Sequence, residues 1–112
     1  MVEFSDIIKA VSEHRGIPKE DILSACRLRP VAHARQEVAY LASEMTNASL
    51  SRIGQRLGRD HTSILHGIRA VRKRAVDDEY FKDMVAMREA VLPRFVRHNN
   101  NLQFTTSRKP KK

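Results

Sequence analysis

A single cysteine and four glycines are spread over 112 residues, and nowhere does the chain gather a long apolar run. Lone Cys26 excludes an internal disulfide, and nothing in the sequence suggests a metal cluster or a paired nucleophile. No segment approaches the roughly 18 apolar residues of a membrane span, and no signal-peptide region follows Met1. A cytosolic protein is expected, with no membrane partner. The alternation of β-branched and polar residues that marks a strand is absent, so the expected fold is all-α. There is no internal repeat, and Asn99–Asn101 is too short to count as low complexity. A chain of this length forms one modest core.

Enzyme chemistry finds equally little support. There is no phosphate-binding glycine-lysine loop. His61 and His66 lie five residues apart, a rotation of about 140° around a helix, which spoils shared metal coordination. No serine or cysteine is matched with a histidine and an acid at a meaningful spacing. His14, His33 and His98 read as ordinary surface or semi-buried residues. The expectation is a non-enzyme without cofactor or metal.

What the chain does have is positive charge, unevenly placed. The net +8 is concentrated between Arg27 and Arg74, where ten Lys/Arg face three Asp/Glu, a net of +7. Residues 1–26 carry −2 and residues 75–112 carry +3. A clustered basic stripe suits phosphate binding with counterion release, whereas a merely soluble surface intersperses both signs.

Helical periodicity organises the chain. Phe4, Ile7, Ile8 and Val11 predict a first helix over 2–15, closed by Gly16. Pro18 suits the first turn of a short second helix that turns Ile22 and Leu23 inward. Cys26–Pro30 reads as a basic loop, because Pro30 disfavours helix at Arg29 and then opens the third helix. Val31, Ala34, Val38, Leu41, Ala42 and Met45 form a continuous apolar stripe, which makes that helix the central pillar. Thr46 and Asn47 end it. Asp77 or Asp78 caps a further helix bearing Phe81, Met84, Val85, Arg88, Val91 and Leu92, which Pro93 is expected to stop or kink. The polar end, His98–Lys112, with four cations in SRKPKK, reads as disordered, its charge adding nonspecific DNA affinity.

The densest information lies in Ser49–Arg74, SLSRIGQRLGRDHTSILHGIRAVRKR. Ser49 and Asp60 are placed to cap two successive helices, with Gly58 in the left-handed turn between them. Gly54 permits close helix approach. This is the pattern of a helix-turn-helix. At about 100° per residue, Ile64, Ile68 and Val71 share the inward face, and Thr62, His66, Arg69 and Lys73 the opposite one. Ser63 lies on the flank. An ideal wheel sets His61 near the apolar side, so it reaches bases only if the helix docks by its N-terminus. Asp60 has two compatible roles, helix cap and acceptor from a cytosine amine. Arg27 and Arg29 are either solvated loop residues or arginines for a narrow A·T minor groove. Arg35 and Gln36, near the start of the third helix, are placed to hold phosphates.

Three segments, IIKAVSEHRGIPKEDILS, CRLRPVAHARQEVAYLASEMTNASL and GRDHTSILHGIR, resemble the C-terminal DNA-binding domain of the bacterial replication initiator DnaA. The resemblance runs from about Phe4 to Arg74. It implies an all-helical, Trp-repressor-like domain that binds a short asymmetric box of the TTATNCACA type. Carried over by position, it implies Arg27 in the minor groove, and Arg35 and Gln36 on the DNA backbone. Leu50 and Ser51 would touch phosphate where the family usually has Leu-Pro. Asp60, His61, Thr62 and Ser63 would read bases, supported by His66. Two departures stand out: Gly58 replaces a glycine pair, which shortens the turn, and Ser43 replaces a phosphate-binding lysine. No ATPase module accompanies the domain. The chain is expected to be either a stand-alone protein or a domain cut from a longer one, and Met1 directly before the first helix and the extra C-terminal helix favour the first.

The expected organisation is a helix-turn-helix domain over 1–76, a further helix over 77–97 and a basic tail over 98–112. The expected partner is double-stranded DNA, with the full-length initiator DnaA or its regulators as further partners and the nucleoid as location. Two other readings keep the scaffold. One is a protein-interaction module docking through Phe81, Met84, Val85 and Leu92; the other is a transcription factor reading an unrelated site.

Overall fold

A computed structural model describes residues 2–99, with side chains through Leu92. It contains six helices, and no strand occurs among the described residues. The all-α expectation holds.

Helix α1 (Phe4–Arg15) buries Ile7, Ile8, Ala10 and Val11 and ends at Gly16, whose φ of 69° suits a residue without a side chain. After the single turn α2 (Lys19–Ile22) the chain reaches α3 (Arg29–Met45). This helix begins one residue earlier than the proline pattern predicts. Leu28 stands at the N-cap position without a side-chain capping bond, and Pro30 sits within the first turn, where its missing N–H is one the helix cannot satisfy anyway. Helix α3 is the pillar: α1, α2, α4 and α5 all pack against it. Its inward side chains Ala34, Val38, Leu41 and Ala42 are the centre of the core.

Helices α4 (Leu50–Leu57) and α5 (His61–Arg74) form the expected pair. The Ser49 hydroxyl accepts from the Arg52 N–H at 3.1 Å, and Gly58 ends α4 at φ 68°. The Arg59 N–H then donates to the Gly54 carbonyl at 2.8 Å, which closes the turn. Gly54 is tighter still, since a Cβ there would collide with the Arg59 carbonyl oxygen. Because that neighbour is backbone within the turn, Gly54→Ala should cost about 1–3 kcal/mol. A chemical-denaturation midpoint should register the loss; an unchanged midpoint would mean the turn has room to give.

Helix α6 (Asp78–Asn99) starts under the Asp77 carboxylate, which accepts from the Glu79 and Tyr80 N–H groups at 2.8 and 3.1 Å. It packs on α1 and contributes Met84, Met87 and Val91 to the common core. The proposed docking stripe therefore divides: Met84 is buried, Val85 and Leu92 are half-buried, and Phe81 remains 54% exposed. Of the two outcomes expected at Pro93, a stop or a kink, the stop does not occur: the helix runs on through it. The proline removes the hydrogen bond owed to the Glu89 carbonyl, and Glu89 lies on the exposed side, where water can replace it. His98 and Asn99 are helical, and the remainder of the expected tail lies outside the described residues.

A polar network fastens α6 to the rest. Glu37 of α3 is 1% exposed, and such a buried carboxylate needs full pairing. Arg15 grips it bidentately at 2.9 and 2.7 Å, and the Tyr80 hydroxyl donates to it at 2.7 Å. Arg15 reaches on to Asp83 of α6 at 3.1 Å. Bonding to Glu37 raises the Arg15 pKa against the opposing effect of burial. Burial and the bond to Glu37 push the Tyr80 hydroxyl up to about 12.

Candidate nucleic-acid interface

The N-terminus of α5 is built by Asp60, whose carboxylate accepts from the Ser63 N–H at 2.8 Å. That bond, with help from the Ser63 hydroxyl, holds the Asp60 carboxyl below its ordinary pKa. The acid is thus a charged cap, complementary to the positive end of the helix. Ile64, Gly67, Ile68 and Val71 face inward. Gly67 brings α5 close to α3: a Cβ there would lie 3.1 Å from Cγ of Gln36.

With that face spent on packing, Asp60, His61, Thr62, Ser63, His66 and Arg69 are all exposed. Thr62, His66 and Arg69 form the outward ridge opposite the core, and Asp60, His61 and Ser63 flank it at the helix N-terminus. His61 is exposed too, although the ideal wheel set it near the apolar side. It is the first residue of the helix, ahead of the turn that packs. Among the described residues no group of histidines, cysteines and acids is placed to hold a metal ion.

Beside the ridge lies a cleft of about 430 Å³. Its polar lining is Arg27 from the loop, Arg35 and Gln36 from α3, Arg59 from the turn and Ser63 from α5; Ala25, Ala32, Ala39, Ile64 and Gly67 complete it. No acid lines it. Three arginines without a carboxylate make a place where an anion is favoured. Four of the sequence-derived site residues thus meet here. Leu50 and Ser51 stand elsewhere, in the first turn of α4, where backbone N–H groups lack helical acceptors. The Leu50 side chain itself packs against the core, and Ser51 is exposed.

Arg35 requires a correction. Rather than projecting as a free phosphate clamp, it is only 6% exposed. Its Nε donates to the Ile22 carbonyl at 2.9 Å, and its Nη2 to those of Ser24, Cys26 and Asp21 at 2.8, 3.1 and 3.4 Å. The guanidinium therefore ties the α2–α3 connection to the pillar and holds up the loop that carries Arg27. Burial lowers its pKa, and nearby Arg59 lowers it further. The signal was present in the sequence: Arg35 falls within the apolar row Val31, Val38, Ala42, where a charge calls for internal partners.

Gln36 is also engaged, accepting from Nη2 of Arg74 at 3.0 Å. Within the basic trail, Arg72 pairs with Glu44 at 3.6 Å and Arg74 turns inward, whereas Arg69 and Lys73 are exposed. Arg59 was not among the residues singled out from the sequence. Its position just before a capping aspartate, in a turn closed by a left-handed glycine, is the feature that could have marked it. Ser43, standing where a lysine was expected, bonds its own helix through the Tyr40 carbonyl at 2.7 Å.

The model of the family described as the bacterial DnaA protein helix-turn-helix matches residues 4–71. The chain belongs to this family. Among its relatives, the chromosomal replication initiator protein DnaA of Caulobacter sp. (strain K31) is 44% identical over 78 residues, 69% of this chain and 16% of that protein. The DnaA of Cereibacter sphaeroides (strain ATCC 17029 / ATH 2.4.9) is 40% identical over 83 residues, 73% and 18% of the two chains. That of Ruegeria sp. (strain TM1040) is 35% identical over 92 residues, 80% and 20%. The chain thus spans a fifth or less of the length of these initiators. It carries a DnaA-type helix-turn-helix, a domain for binding double-stranded DNA. No helix among the described residues is long and apolar enough to cross a membrane.

Proposed function

We propose that this DnaA-type domain is a non-enzymatic, sequence-specific reader of DnaA-box-like sites. By competing with or assisting the full initiator there, it modulates replication initiation or transcription. The observation that carries this reading is the exposed α5 N-terminus Asp60–Ser63 standing beside the acid-free arginine cleft. Short hydroxyls and an imidazole at a helix N-terminus suit base edges in the major groove. The adjoining arginines suit the phosphates and minor groove flanking it. In this reading Asp60, His61, Thr62 and Ser63 read bases, His66 and Arg69 support them, and Leu50, Ser51 and Gln36 contact the backbone. Arg27 enters the minor groove. The protein works in the cytoplasm on the nucleoid, and the initiator or its regulators are its protein partners. The interaction-module reading is less well supported, because Met84, with Met87 and Val91, is buried in the domain's own core.

Arg27 supplies a direct test. It is exposed on a loop anchored by Arg35, so Arg27→Ala should leave the melting temperature nearly unchanged. Affinity for a duplex bearing the box should fall, and fall more when the contacted steps are A·T than when they are G·C, because the narrow A·T groove concentrates negative potential. A plain phosphate contact would weaken every duplex alike and lower the salt slope by about one. Equal losses on A·T and G·C duplexes would refute the minor-groove assignment.

A further inference from the structure

The α6 network extends past Glu37 to the DNA face. The Tyr80 hydroxyl donates to Glu37 at 2.7 Å, so its lone pairs are left for Arg74, whose Nη2 approaches at 3.4 Å. The same Nη2 donates to Oε1 of Gln36 at 3.0 Å. Both Arg15 and Arg74 lie over the Tyr80 ring, 5.8 and 5.3 Å from its centroid. Nε of Arg74 is buried with no acceptor, so Nη2 and the ring hold this guanidinium in place.

The consequence for Gln36 is chemical. A guanidinium has no acceptor, so the amide must present its oxygen to Arg74. Its NH₂ group then remains as the donor on a side chain that lines the arginine cleft. Left untethered, the amide could turn and offer oxygen, a group that repels phosphate. We infer that Tyr80 is a positioning residue: from α6, beyond the residues matched by the family model, it sets Arg74 and through it aims the Gln36 amide N–H at the DNA backbone. This rests on the reading that Gln36 meets phosphate.

A double-mutant cycle tests it. Wild type, Tyr80→Phe, Gln36→Ala and the double variant are titrated by fluorescence anisotropy against a box-bearing duplex and a scrambled one. Tyr80→Phe keeps the ring and drops the hydroxyl. It should weaken both duplexes by the same factor, roughly two- to ten-fold, and leave the box preference intact. In the Gln36→Ala background it should change nothing. Arg74→Lys, which keeps the charge while losing the shared Nη2, should show the same dependence on Gln36 and serves if Tyr80→Phe does not fold. An equal loss in both backgrounds, or no loss in the wild-type background, overturns the inference. The box reading fails separately, if the wild-type chain binds both duplexes equally, and the cycle can still be read on either.

Discussion

Arg35→Ala should lower stability by about 3 kcal/mol, since it strands carbonyls that now accept from one guanidinium. For a domain of this size that corresponds to a fall of roughly 12–24 °C in Tm. Arg35→Lys should not rescue it, because an ammonium is a compact point charge and cannot span the carbonyls of Ile22, Ser24 and Cys26 together. Below the lowered Tm, DNA binding should also weaken, because the loop bearing Arg27 loses its anchor. Arg27→Ala added to Arg35→Ala should then cost less than it does alone. Thermal melting by circular dichroism separates the two roles. A Tm within a degree or two of wild type, with a salt slope reduced by about one, would restore Arg35 as a phosphate clamp.

The second large effect concerns the ridge and its flank. His61→Ala and Thr62→Ala should each cost on the order of 1–3 kcal/mol on a box-bearing duplex and much less on random DNA. Combined, they should erase most of the discrimination between the two. Both side chains are exposed, so the fold should tolerate their loss. Anisotropy titrations on the two duplexes read the result. Equal losses on both would show that these residues do not read bases.

Much of this was legible in the sequence because it depends on local chemistry. Ser49, Gly58 and Asp60 announce a cap, a turn and a second cap through the conformations and acceptors those residues supply. The inward row Ile64, Ile68, Val71 follows from helical period alone. The outward face Thr62, His66, Arg69 follows in turn, whereas the exposure of His61, set near the apolar side by an ideal wheel, does not. Long-range partners were harder to see. Arg35 and Glu37 both lie within apolar rows of α3, and periodicity marks them as out of place without saying what they meet. Their partners come from the α2–α3 connection, from α1 and from α6, up to 43 residues away. Pro93 does not stop the helix for a related reason. The rule concerns an interior hydrogen bond, and its cost depends on whether the freed carbonyl faces water. The cleft, too, exists only once the loop, the pillar and the turn are brought together, so nothing local to the sequence shows that Arg59 lines it.

The central claim is that the α5 ridge reads a DnaA-box-like sequence, and selection from a random duplex library tests it most directly. The full chain should enrich an asymmetric consensus of the TTATNCACA type, and the His61→Ala, Thr62→Ala double variant should lose that enrichment while still binding DNA at low salt. Enrichment of no consensus, with affinity flat across sequences, or enrichment of an unrelated site would contradict it.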